Sequence, residues 1–167
     1  MRILVLGGDG YLGWPTAMDL AAAGHQVTVA DNYLRRRLAE ATSSDPLFAT
    51  PNLTERASIF GALSGKNIEV QILDLADPEA MFELVRGTMP DTIVHYAEQP
   101  SAPYSMRGFA EARETFQNNL DVTFNLIWAV KEVVPEAHII KLGTMGEYGT
   151  PNIDIEEELE EESQTPQ

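Results

Sequence analysis

The feature that most constrains this chain is a glycine-rich turn between an apolar run and a helical pattern. Ile3-Leu4-Val5-Leu6 is continuously apolar and reads as a buried strand. Gly7-Gly8-Asp9-Gly10-Tyr11-Leu12-Gly13 follows, and then Leu12, Ala17, Met18 and Ala21 recur at helical spacing until Gly24, a helix-stop residue. The loop fits two registers. Gly8, Gly10 and Gly13 satisfy G-x-G-x-x-G, whereas Gly7, Gly10 and Gly13 satisfy G-x-x-G-x-x-G. Either register places backbone N–H groups and a helix N-terminus where a pyrophosphate can dock, and a side chain at the central glycine would block that approach.

The rest of the chain repeats the alternation. Strands are expected at residues 26–30, 68–73, 92–95 and 138–142. Helices are expected near residues 55–63, from Pro78 to about Gly87, and over residues 109–134. The stretch 98–108, rich in Pro and Ser, reads as loop, and 32–64 is the least regular part. The long helix carries a stripe of Phe116, Leu120, Thr123, Ile127, Val130 and Val134, which could face the sheet or a second copy of the chain. Strand–helix alternation predicts an α/β fold, a Rossmann-like doubly wound parallel sheet of about five strands. Residues 1–150 form one dinucleotide-binding domain on this reading. The tail, 151–167, is expected to be disordered, since it holds seven of the 26 acidic residues and little to bury.

Composition narrows the function. The net charge of -15 argues against nucleic acid as a partner, which would require a basic stripe. No apolar run reaches the length of roughly 18–20 residues needed to cross a bilayer, so no membrane partner is expected and the location is expected to be cytoplasmic. The chain has no cysteine, which removes disulfides, thiolate metal sites and a cysteine nucleophile; no metal is expected.

In an open parallel sheet, ligands sit beyond the carboxyl ends of the strands. Asp31 ends the second strand, eighteen residues past Gly13, near the distance expected for the group that binds a ribose hydroxyl. Its charge would repel a 2′-phosphate, so NAD is preferred over NADP. Arg35, Arg36 and Arg37 lie just beyond it and could meet a phosphate or simply be solvated. Asp74 and Leu75 follow the third strand, placed to meet an adenine ring. Tyr96 and Gln99 follow the fourth, and Thr144, Met145, Glu147 and Tyr148 follow the fifth. Asn118 and Asn119 lie inside the long helix, where polar groups on a packed face need partners. His95 is expected to be packed or to touch ligand, His25 and His138 to be structural, and Trp14 and Trp128 to pack.

Four strings carry a family resemblance: GGDGYLGWPTA (residues 7–17), DNYLRR (31–36), SAPYSM (101–106) and KLGTMGEYGTPNIDIEE (141–157). The glycine loop in its G-x-x-G-x-x-G register resembles the extended short-chain dehydrogenase/reductase family, the nucleotide-sugar epimerases and dehydratases. The last string is similar to the UDP-sulfoquinovose synthase subfamily in particular. The resemblance spans residues 1 to about 157. It implies NAD as cofactor, bound through Gly7, Gly10, Tyr11, Leu12, Asp31, Asn32, Arg35, Arg36, Asp74, Leu75, Tyr96 and Asn119. It implies a UDP-sugar such as UDP-glucose, with sulfite, as substrates. In that family the sugar is oxidised transiently at C4, the 4-keto group acidifies the C5 hydrogen, water leaves from C6, sulfite adds and the hydride returns. The resemblance gives catalytic roles to Thr144 at the 4-hydroxyl, Glu147 as proton shuttle near C5 and C6, and Met145 in shaping the pocket. It places Gln99 and Ser101, with Thr144 and Glu147, at the substrate. A carboxylate in a sugar pocket suits proton transfer, because its pKa can be raised there.

The chain departs from the family pattern in three ways. None of Tyr11, Tyr33, Tyr96, Tyr104 and Tyr148 has a lysine four residues on; Tyr33 has Arg37. The family's Tyr-x-x-x-Lys pair is thus expected beyond Gln167, with the C-terminal substrate domain absent. Pro100 stands where the family has arginine before Ser-Ala-Pro-Tyr-Ser. Three readings stay open: a cofactor-binding half completed by a separate chain or a lost C-terminal part, a catalytically inactive dinucleotide-binding module, or a truncated frame without activity. Half of another UDP-sugar epimerase or dehydratase is a further alternative, and a homodimer through the helix near 109–134 goes with any of them.

Overall fold

The computed structural model describes residues 1–44 and 46–143. Five parallel strands form one sheet: β1 (Arg2–Leu6), β2 (Gln26–Asp31), β3 (Ile68–Ile72), β4 (Thr92–His95) and β5 (His138–Lys141). Their order is β3-β2-β1-β4-β5. The chain steps outward from β1 to β3, then returns to the other side of β1 for β4, and the order reverses at the β1–β4 pair. Val5 pairs with Val29 of β2 and with Val94 of β4, so β1 is central.

Because side chains alternate across a strand, β1 divides its residues between two cores. Ile3 and Val5 join Trp14, Ala17 and Ala21 of α1 (Gly13–Ala22) and Leu53, the first residue of α3 (Leu53–Ser64). Leu4 and Leu6 join Met81, Leu84 and Val85 of α4 (Pro78–Thr88), and Val122, Leu126, Ala129 and Val130 of α6 (Phe109–Val133). Both faces are thereby covered, as a parallel sheet requires. Pro78 acts as the start signal anticipated for it, and the caps add to it. Pro78 occupies the first turn of α4 behind an Asp77 cap, and Asn52 with Glu55 forms a capping box on α3.

Three expectations are corrected. Residues Leu34–Ala41 form a helix, α2, where no regular element was expected; none of its residues is buried. A four-residue helix, α5 (Ala102–Ser105), sits within the stretch read as loop. On α6 the sheet-facing side is Val122, Asn125, Leu126, Ala129 and Val130, so the expected stripe is split: Val130 and Val134 are buried, whereas Phe116, Leu120 and Ile127 are exposed. Trp128 is half-exposed beside Phe124, with Lys131 over its ring at 4.3 Å, so it packs on the surface rather than in the core. The proposed 150/151 boundary and the acidic tail lie outside the described residues. No helix among the described residues is long and apolar enough to cross a membrane.

Candidate functional site

A cavity of about 570 Å³ opens at the carboxyl ends of β1, β2 and β4, at the point where the strand order reverses. Its floor is the glycine loop. Gly7 has φ +84°, a conformation that favours glycine, and a Cβ there would stand 2.7 Å from the Tyr96 backbone. A Cβ on Gly13 would stand 2.0 Å from the Gly7 carbonyl. The loop therefore folds backbone against backbone. This draws the start of α1 down beside β1. Leu12, at the N-cap of α1, makes no side-chain capping bond. The first N–H groups of a helix lack intrahelical partners, and the macrodipole adds partial positive charge there. Gly10, Tyr11 and Leu12 all line the cavity at that end.

The wall on the β2 side carries charge. Asp31 lines the cavity, and its carboxylate accepts the backbone N–H of Asp9 at 2.9 Å and of Tyr33 at 2.7 Å. Burial pushes its carboxyl above the ordinary value, and the two N–H groups partly offset this. Asn32 also lines the cavity and donates to Asp74 Oδ1 at 3.1 Å, while Asp74 and Leu75 continue the wall. Of the three arginines, Arg35 lines the cavity. Arg36 points elsewhere: its Nε and Nη2 each donate to the Asp9 carboxylate at 2.7 Å. Arg37 donates to the carbonyl of Asn32. Arg56, absent from the sequence-based site, also donates to Asp9 and stacks over Trp14, 4.9 Å from the ring centroid. Asp9 occupies an unrestricted position of either glycine motif, so the motif carried no signal for it.

The opposite wall is mostly neutral, with one ion pair at its rim. His95, fully buried, has Nε2 3.3 Å from Thr123 Oγ1 and accepts the Ala97 N–H at Nδ1 at 3.2 Å. That bond to Nδ1 leaves the ring proton on Nε2, facing the threonine hydroxyl. Burial, the dominant cause, pushes its pKa down to about 4, so the ring is neutral. It packs and also lines the cavity. Tyr96, Gln99 and Asn119 line it as well. The Gln99 N–H donates to Asn119 Oδ1 at 2.8 Å, and Asn119 Nδ2 donates back to the Gln99 carbonyl at 3.2 Å. Gln99 Oε1 accepts the Ser101 N–H at 2.8 Å. Ser101 does not line the cavity; its hydroxyl accepts the Tyr104 N–H and caps α5. Lys141 and Glu98 form an ion pair of 2.6 Å across the rim. Thr144, Met145 and Glu147, the residues expected to carry catalysis, lie outside the described residues. No cluster of metal-ligating side chains occurs among the described residues.

A glycine cradle, an uncapped helix N-terminus and a carboxylate at the end of β2 fit a dinucleotide's pyrophosphate and ribose. Fold and site together define a Rossmann-like nucleotide-binding domain. The comparison with known families makes this specific. The model described as the NAD dependent epimerase/dehydratase family matches residues 3–167, and the chain belongs to that family. It is 45% identical over 156 residues to UDP-sulfoquinovose synthase, chloroplastic, of Spinacia oleracea, covering 93% of this chain and 32% of that protein. It is 47% identical over 159 residues to UDP-sulfoquinovose synthase of Sulfolobus acidocaldarius, covering 95% of this chain and 40% of that protein. The chain thus spans about a third of one relative and two-fifths of the other. Among solved structures, UDP-glucose 4-epimerase of Bifidobacterium longum in complex with NAD+ and UDP aligns at a TM-score of 0.70 and 24% identity, over 92% of this chain and 40% of that one. That likeness establishes the fold.

Proposed function

We propose that this chain is the NAD-binding half of an enzyme that remodels a UDP-sugar, of the UDP-sulfoquinovose synthase kind. The observation that carries this is the cavity at the strand-order reversal, where the glycine cradle, the bare start of α1 and Asp31 converge. The 45% and 47% identities to two UDP-sulfoquinovose synthases support the particular substrate.

In this reading, Gly7, Gly10, Tyr11 and Leu12 hold the pyrophosphate by backbone N–H groups. Asp31 holds the adenosine ribose, and Asn32, Asp74 and Leu75 form the adenine edge. Tyr96 and Asn119 shape the nicotinamide end. Arg35, exposed at the cavity mouth with no side-chain partner among the described residues, meets a phosphate, whereas Arg36 serves the loop through Asp9. NAD supplies a reversible hydride acceptor for the sugar. Gln99 fixes the loop that faces the sugar, and Ser101 acts one step further out by starting α5. Thr144, Glu147 and Met145 keep the roles that the family resemblance gives them: a hydrogen bond to the 4-hydroxyl, a proton shuttle, and the pocket wall.

UDP-glucose and sulfite are the substrates on this reading, and the cytoplasm is the expected location. The Tyr-x-x-x-Lys pair would come from a further segment or a separate chain. The exposed Phe116, Leu120, Phe124 and Ile127 on α6 support a homodimer through that helix, testable by sedimentation.

Calorimetric titration with NAD is the test. The purified chain should bind NAD, and Asp31→Ala should weaken binding by about tenfold or more, which is roughly 1.4 kcal/mol. A folded chain with no affinity for NAD would sink the proposal.

A further inference from the structure

The Asp9 carboxylate stands at the centre of a charged cluster that the cofactor contacts above do not explain. It takes two bonds from Arg36, at Nε and Nη2, each 2.7 Å long, and one more from Arg56. The backbone N–H of the same residue donates to Asp31 Oδ2 at 2.9 Å. One residue thus joins the carboxylate at the ribose end of the cavity to two guanidinium groups. Both are anchored independently of it. Arg36 also donates to the carbonyls of Thr50 at 2.9 Å and Pro51 at 2.8 Å. Arg56 sits over the Trp14 ring, with its buried Nε–H unpartnered among the described residues.

Two guanidinium groups beside the ribose carboxylate are the donors that a 2′-phosphate recruits. An arginine near this position is how such folds accommodate NADP, and the guanidinium fork matches a phosphate in two-point geometry. Here the anion in that fork belongs to the chain itself. Asp9, Asp31, Arg36 and Arg56 sum to zero charge, and loss of the Asp9 carboxylate would leave the cluster with one net positive charge next to the ribose.

We propose that Asp9 determines cofactor specificity: by occupying Arg36 and Arg56, it withholds the anion site that would accept a 2′-phosphate and so makes the cavity select NAD over NADP. The proposal rests on the reading of the cavity as an NAD site.

Calorimetric titrations with NAD and with NADP test it on the purified wild-type chain and on Asp9→Asn, Asp9→Ser and the double variant Asp9→Asn/Arg36→Gln. The wild-type chain should prefer NAD by about tenfold or more, and in either single variant that ratio should fall by about tenfold through a gain in NADP affinity. The double variant should lose most of that gain. A folded Asp9 variant with the wild-type ratio would overturn the proposal and leave the NAD reading standing. So would a gain in NADP affinity that survives the loss of Arg36. If circular dichroism shows both Asp9 variants unfolded, Asp9 is a folding residue and the proposal also falls. Wild-type chain that binds neither nucleotide marks failure of the NAD reading itself.

Discussion

The two walls of the cavity are built from opposite chemistries. On the β2 side, carboxylates and guanidiniums hold the loops: Asp9 with Arg36 and Arg56, and Asp31 with two backbone N–H groups. On the β4 side, most of the work falls to neutral groups, the reciprocal amide pair of Gln99 and Asn119 and a buried uncharged His95, with one ion pair, Glu98–Lys141, at the rim. A charged wall chooses among ligands by their charge, and it keeps that power only while its own ions are matched. A neutral wall chooses by shape, and it fails by leaving a buried donor or acceptor without a partner. The shared floor between them has no side chain to adjust at Gly7, Gly10 and Gly13 and depends there on close backbone contact.

That ordering sets the expected sensitivities. The floor should be the most fragile. Gly13→Ala would push a Cβ to 2.0 Å from the Gly7 carbonyl, a backbone atom that cannot rotate away. A loss on the order of 3 kcal/mol or more is expected in urea melts. An unchanged midpoint would show that the floor can give.

The neutral wall should respond to acid. His95 is held well below its unfolded value, so between pH 6.5 and about 4 the unfolded chain binds a proton that the folded chain does not. Its contribution is complete above the unfolded pKa and is lost as pH falls, by about 2 kcal/mol at pH 5. Melting curves of the wild type and His95→Gln from pH 7 to pH 5 should therefore converge on the acid side. Parallel curves would mean that His95 is already free to charge. Asn119→Ala should be milder, about 1–2 kcal/mol, because it strands one N–H and one carbonyl, both of buried Gln99. It should also loosen amide exchange at Gln99 and Ser101, while leaving the Asp9 cluster as rigid as before. Faster exchange at Asp9 in that variant would show that the two walls are one unit.

The same contrast explains what could be read from the sequence. Strands were legible because each is a short run rich in Val, Ile or Leu, and Asp31, Asp74, Leu75 and Tyr96 fell at the cavity by strand-end logic alone. The α2 helix was hidden because Leu-Arg-Arg-Arg-Leu-Ala-Glu-Ala is half charged and offers only Leu34 and Leu38 as large apolar marks. On α6 the helix was clear but its inward side was not. Phe116, Leu120 and Ile127 repeat at the same spacing as the residues that face the sheet, so periodicity gives two candidate faces. The neutral wall was half legible, since Asn119 inside a helix called for a partner. Nothing local named that partner as the Gln99 backbone, twenty residues away. The Asp9 cluster joins residues 9, 36 and 56 across three elements, a long-range match of charges that no window on the sequence contains.

The central place of β1 has a consequence for how the chain is made. One edge of β1 is satisfied early, because Arg2 pairs with Gln26. The other edge waits for β4, where Ile3 meets Thr92. At a synthesis rate of about 5–20 residues per second, the ribosome takes roughly five to twenty seconds to supply that partner. For that interval an apolar strand has one flank bare, and the nascent chain must keep it from other company until its neighbour arrives.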